Sequence, residues 1–172
     1  MCIRDRAKDN SGFYYQRYDT PEEELLVDIN EQPKLMFHTL GTNQIDDTII
    51  YENPAQPRWG WSISISENNA YKILSISDGT EEKNRVYIQT TDSNEFLPVI
   101  DELIGEYAYL TSLDNVLFFY STENASNGKV VTLTIQDGAF VWNDLIAESM
   151  LPIRSVNILS LIHISEPTRL SV

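Results

Sequence analysis

Three stretches of this chain repeat one another, and that repeat limits the fold more than any other feature. The triplets Phe13-Tyr14-Tyr15, Lys72-Ile73-Leu74 and Leu117-Phe118-Phe119 hold equivalent places, as do the extended segments that begin at Lys34, Arg85 and Lys129. Those segment starts are 51 and 44 residues apart, with most of the difference in loops. A period of about 40 to 50 residues carrying four short strands is that of a β-propeller blade. One blade cannot bury both of its faces, so such units must stack.

Alternation and turn chemistry supply the strands. Trp59-Gly60-Trp61-Ser62-Ile63-Ser64-Ile65-Ser66 alternates strictly, with Trp59, Trp61, Ile63 and Ile65 on one face and small residues on the other. That is the period-two signature of a half-buried strand, and small residues suit a strand crowded near a central axis. Further strands are predicted at 13–18, 34–40, 48–51, 71–77, 85–91, 96–100, 107–110, 116–121, 129–135 and 140–145, with Asp78-Gly79 and Asp137-Gly138 as turn signals. The acidic stretch 19–32 reads as a surface loop, the alternative being a helical turn at 21–27 behind Thr20 and Pro21. Residues 155–158 read as the first strand of another unit. The predicted fold is all-β, a partial β-propeller of about two complete four-stranded blades plus parts of others, rather than a self-contained β-sandwich. Such a piece is expected to be marginally stable, with unpaired edges and exposed apolar blade faces.

Both ends are expected to be foreign to this plan. Met1-Cys2-Ile3-Arg4-Asp5-Arg6 can be encoded by a sequence whose reverse complement translates as Leu-Ser-Leu-Ile-His-Ile, which is what stands at Leu159-Ser160-Leu161-Ile162-His163-Ile164. This word, continued by Ser165-Glu166-Pro167-Thr168-Arg169, resembles the transposase adapter used to prepare sequencing libraries. Residues 1–6 and 159–172 are therefore read as adapter scars and set aside, leaving 7–158 as the propeller fragment. The alternative is that 159–164 is a genuine apolar strand.

Setting the ends aside removes the only cysteine, Cys2, and with it any disulfide, thiolate nucleophile or cysteine metal site. Without Arg4, Arg6 and Arg169, 9 of the 12 basic residues remain. Without Asp5 and Glu166, 24 of the 26 acidic residues remain, a net charge of −15. Such a balance argues against nucleic acid or an anionic membrane as partner, because phosphate binding needs clustered Lys and Arg. No apolar run reaches the roughly 18 residues of a membrane helix. The compartment, cytoplasmic or periplasmic, stays open.

Little in 7–158 can do chemistry. His38 is the only imidazole, at mid-strand, where packing or half-solvation is the expected role. No Gly-x-Ser-x-Gly elbow presents a nucleophile. The adjacent acids Asp46-Asp47 and Glu81-Glu82 read as solvated turn residues, since neighbours in a turn point apart. Neither an EF-hand spacing nor a glycine-rich phosphate loop occurs, so no metal or cofactor is expected. Asn124-Ala125-Ser126 matches the glycosylation triplet. Trp59 and Trp61 read as core between blades, with a ligand-stacking surface as the alternative.

A family resemblance adds what spacing cannot. Gly12-Phe13-Tyr14-Tyr15, then Lys34-Leu35 with His38, Leu40-Gly41-Thr42, Gln44 and Asp47, then Pro57-Arg58-Trp59, Asn84-Arg85-Val86-Tyr87 and Gly105-Glu106-Tyr107 follow in the order and spacing of the prolyl oligopeptidase family. From Ser11 to about Ile158 the chain resembles the propeller domain of its proline-specific serine endopeptidases. The resemblance implies a two-domain enzyme whose catalytic Ser, Asp and His sit on an α/β-hydrolase domain outside this stretch. It also implies a seven-bladed propeller that covers the site and admits only short proline-containing peptides. No catalytic residue is expected in this chain. Gly60, Trp61 and Thr80 are expected to face the substrate chamber, with Thr80 at a position that can be Cys in the family. The rival readings are a non-enzymatic propeller scaffold that binds through its face, and the propeller of an oligopeptidase B or dipeptidyl-peptidase-like enzyme.

Overall fold

The computed structural model describes residues 2–18, 32–136 and 138–156. Twelve strands lie in chain order: β1 (Cys2–Arg6), β2 (Gly12–Arg17), β3 (Lys34–Thr39) and β4 (Thr48–Tyr51); β5 (Trp59–Ile65), β6 (Tyr71–Asp78), β7 (Asn84–Thr90) and β8 (Leu97–Ile100); β9 (Tyr107–Leu113), β10 (Val116–Ser121), β11 (Lys129–Gln136) and β12 (Ala139–Ile146). Each group of four forms one antiparallel meander whose order in space is its order in sequence. The repeat is therefore real. Its equivalent triplets fall on the second strands β2, β6 and β10, and the segments at Lys34, Arg85 and Lys129 form the third strands β3, β7 and β11.

The sequence reading expects about two complete blades plus parts of others, and the structure has three four-stranded sheets. The additional complete sheet arises because Cys2–Arg6, set aside in the sequence reading, pairs with β2 from Cys2↔Gln16 to Arg6↔Phe13. Ser155 and Val156 are irregular rather than the start of a strand. The helical turn at 21–27 and the apolar segment 159–164 lie outside the described residues.

Two apolar layers join the sheets. Between the first and second lie Tyr14, Leu35, Trp59, Trp61, Ile63, Ile65, Leu74 and Ile76. The layer between the second and third is built from Ile73, Val86 and Ile88 on one side and Tyr107, Leu117, Phe119, Val131 and Leu133 on the other. The middle sheet is thus buried on both faces, as β6 shows: Leu74 and Ile76 join one layer and Ile73 the other. Full burial of an aliphatic side chain is worth about 2 kcal/mol, so these layers dominate the energetics. The stack ends in apolar surface, with Leu145, Ile146, Met150 and Leu151 more than half exposed.

Close backbone approach explains one motif glycine. Gly12 faces Thr39 across β2 and β3, and a Cβ added there would lie 2.1 Å from the His38 carbonyl oxygen. Only glycine fits.

Candidate functional site

Gly60 and Trp61 lie at the start of β5, opposite Ser77 and Ile76 of β6. Both line a cavity of about 340 Å³ that also reaches Gln16, Pro33, Arg58 and Gly79. A Cβ at Gly60 would stand 2.8 Å from Ser77 Oγ, so a side chain there would turn the Ser77 hydroxyl aside. The Trp61 side chain is in the apolar layer, only 2% exposed. Its indole Nε1–H donates to the Pro33 carbonyl at 2.7 Å, and its backbone N–H donates to Gln16 Oε1 at 3.2 Å. Tyr51 meets its ring edge-on at 5.0 Å. Trp59 is likewise buried, with the Arg85 guanidinium 4.4 Å over its ring. Both tryptophans are core residues. Thr80 is exposed on the turn after β6, next to Gly79, which sits in the left-handed region at φ +60° beside the Arg58 guanidinium. Gly60, Trp61 and the turn carrying Thr80 thus meet at one end of the second sheet.

A second polar group stands at the outer edge of the first sheet. The turn Gln44–Asp46 is a 3₁₀ helix closed by the Asp47 N–H on the Gln44 carbonyl. It leaves Asp46 exposed and turns Asp47 inward. This corrects the reading of Asp46-Asp47 as a pair of solvated acids: the Asp47 side chain is 1% exposed, with Oδ1 2.7 Å from His38 Nδ1. Tyr15 OH donates to Oδ2 at 2.5 Å. Burial, and then the Asp47 carboxylate, push the Tyr15 phenol above its ordinary value. Glu81 and Glu82 are exposed, as expected for turn acids. An aspartate–histidine pair is two thirds of a hydrolytic triad, but among the described residues no hydroxyl hydrogen-bonds His38. The imidazole instead packs on the Phe13 ring, centroids 5.0 Å apart.

The third group was not legible as a site. Asn84, 8% exposed, opens β7 and reaches into the third sheet. Its Oδ1 accepts from the Tyr107 N–H at 2.7 Å and its Nδ2 donates to the Tyr107 carbonyl at 3.1 Å and to Ser75 Oγ at 2.8 Å. One side-chain amide therefore imitates a neighbouring strand at the first residue of β9. Gln16 does a simpler version of this for Trp61. Tyr107 OH in turn donates to Glu123 Oε2 at 2.6 Å, and burial together with that carboxylate pushes its phenol far above the ordinary range. Among the described residues no group of His, Cys, Asp or Glu is arranged to hold a metal ion, and no helix is long and apolar enough to cross a membrane.

The residues that carry the resemblance are accordingly those that hold turns and sheets together. The profile of the family described as "Prolyl oligopeptidase, N-terminal beta-propeller domain" matches residues 7–158. A prolyl endopeptidase of Elizabethkingia miricola is 30% identical over 148 residues, which cover 84% of this chain and 21% of the relative. A dual function macrocyclase-peptidase of Amanita bisporigera is 27% identical over 148 residues, 83% of this chain and 20% of the relative. Among solved structures, prolyl oligopeptidase B from Galerina marginata bound to a 25mer macrocyclization substrate superposes with a TM-score of 0.77 at 26% identity, covering 84% of this chain and 21% of that one. The chain thus spans about one fifth of the length of the relatives it matches.

Proposed function

The chain belongs to the prolyl oligopeptidase family, as part of its N-terminal β-propeller domain, and from that membership we propose that it is the non-catalytic wall of a serine-type endopeptidase that cuts short peptides after proline. The observation that carries the reading is the match over residues 7–158, in a chain whose described part holds one Asp–His pair and no nucleophile bonded to it. Catalysis then belongs to an α/β-hydrolase domain, and the propeller limits which peptides reach it. Peptide binding by the whole protein is supported by the Galerina relative, solved with a peptide substrate.

In this reading Gly60, Trp61 and Thr80 border the chamber, with the buried Trp61 indole fixing the backbone at Gly60 and the exposed Thr80 reaching furthest inward. The full-length protein, expressed from its gene, is assayed on short peptides with proline or arginine before the scissile bond. Cleavage after proline is expected. A preference for arginine refutes the proline reading, and no hydrolysis at all favours a binding scaffold. Because macrocyclase-peptidases stand among the relatives, the same assay scores ring closure beside hydrolysis. Thr80→Cys treated with a bulky maleimide is expected to lose most peptide turnover, measured against the unsubstituted protein treated in the same way. Full activity after labelling would remove Thr80 from the chamber.

A further inference from the structure

Two arginines flank Trp59, and the fold uses them differently. Arg85 is committed to the sheet: its guanidinium lies 4.4 Å over the Trp59 ring and its Nε–H donates to the Asp101 carbonyl at 2.9 Å. Arg58 is exposed and lines the cavity of about 340 Å³ at the start of β5, with its guanidinium 3.0 Å from the place a Cβ at Gly79 would take. Among the described residues no carboxylate forms an ion pair with it. None of the residues lining that cavity is acidic, in a chain with 26 acidic and 12 basic residues. Two hydroxyls of the same cavity keep a proton to donate. The Tyr18 hydroxyl accepts from Gln16 Nε2 at 2.6 Å, and Ser75 Oγ accepts from Asn84 Nδ2 at 2.8 Å. The neighbouring cavity of about 350 Å³ shares Ser62, Ser75 and Ser77 with this one, yet it is lined by Glu81, Glu82 and Glu106. A row of serines therefore divides a cationic hollow from an anionic one.

We propose that the Arg58 hollow is a subsite for a carboxylate carried by a peptide. The planar fork of a guanidinium matches a carboxylate with two parallel N–H···O bonds, and bonds between charged partners are stronger than neutral ones. The walls of a hollow concentrate the field of the single charge inside it. Across the serine row the three glutamates repel the same group, so a carboxylate is directed to one side and the peptide that bears it is oriented. Resting on the peptidase reading, in which Gly60 and Trp61 border the chamber, Arg58 is a specificity-determining residue. It favours short peptides that bring a free C-terminal carboxylate, or an acidic side chain in the same place, over neutral ones.

The test is calorimetric binding to the full-length protein of three N-acetylated, proline-free hexapeptides of Gly and Ala: the free acid, its C-terminal amide, and an amide ending in Asp. At low salt the free acid is expected to bind about five- to tenfold tighter than its amide, and the gap should narrow as salt is added. Tighter binding of the Asp peptide would show that a side-chain carboxylate is read as well; no gain there would restrict the subsite to the chain terminus, and both results support it. Arg58→Gln is expected to bring the acid and amide affinities together. Arg58→Lys keeps the charge without the fork and should retain part of the gap, which ties the loss to charge rather than to misfolding. The subsite is overturned if neither carboxylate-bearing peptide outbinds the plain amide, or if the gap persists in Arg58→Gln. None of the peptides contains proline or needs to be cut, so a failure to cleave after proline would count against the peptidase reading and leave the binding result standing.

Discussion

His38 Nδ1 lies 2.7 Å from the Asp47 carboxylate, across an exposed turn that separates them in sequence. With Tyr15 on the other oxygen, three residues from β2, β3 and the turn before β4 close one buried knot. Asp47→Ala leaves the phenol and the imidazole without their acceptor, and is expected to lower stability of the full-length protein by about 3 kcal/mol. Asp46→Ala, one residue away and exposed, is expected to change it by less than about 0.5 kcal/mol. Denaturant titration of the two variants side by side measures the difference; equal effects would mean that the knot contributes nothing.

At Gly12 the limiting quantity is space. The His38 carbonyl oxygen stands where a Cβ would be, so Gly12→Ala must push β2 from β3, at a cost of about 3 kcal/mol or more. Gly41 has open space around it but φ of +91°, so Gly41→Ala should cost only about 1 to 2 kcal/mol, from backbone conformation alone. Reversal of that order in thermal melts would contradict the packing drawn here.

Trp61 combines apolar burial with a satisfied indole. Trp61→Phe is expected to leave the Pro33 carbonyl without its donor and open part of the layer, destabilising by about 2 kcal/mol, and Trp61→Ala by about 3 to 5 kcal/mol. If Trp61 instead served mainly as a ligand surface, its loss would weaken peptide KM while leaving the unfolding midpoint in place. Midpoint and KM measured on one preparation separate the two.

Stability should fall in alkali. Burial raises the phenols of Tyr14, Tyr15, Tyr51, Tyr87, Tyr107 and Tyr109, reinforced by Asp47, Asp101 and Glu123 at Tyr15, Tyr87 and Tyr107. A group whose folded value is raised contributes stability that is complete below its unfolded value. That contribution is lost as pH climbs from the unfolded toward the folded value, which places the decline above about pH 10. Lys72, lowered by burial, works in the opposite sense. Among the described residues it is one group against six. Melting temperatures between pH 8 and 11.5 should therefore drop past pH 10, less steeply in a Tyr87→Phe, Tyr107→Phe double variant; a flat profile would refute the expectation.

The fold was readable because each repeat places its signals locally. Strict alternation in β5, the equivalent triplets of β2, β6 and β10, and the turn glycines each act within a few residues. The strands at 48–51 and 116–121 fall where predicted. What escaped the sequence was long-range. Asp47 reads as a turn acid until the 3₁₀ turn aims it at His38, and Asn84 reads only as part of a family motif until Tyr107, 23 residues later, supplies a backbone partner for both its amide oxygen and its amide nitrogen. Composition could not show that Cys2–Arg6 completes a sheet either, because any extended segment can meet the open edge of β2.

The two-faced character of β5 also makes this strand sensitive to frame in a way that point substitutions do not reveal. Adding one residue within the strand, just after Trp59, would keep its composition and propensity almost unchanged, yet rotate every following side chain to the opposite face. Bulky side chains would then stand where Ser62 and Ser64 stand now, and serines would enter the apolar layer. Length changes should therefore be confined to the connections on either side of β5, at residues 52–58 and 67–70, while within 59–65 a single insertion or deletion should be as damaging as loss of the whole strand.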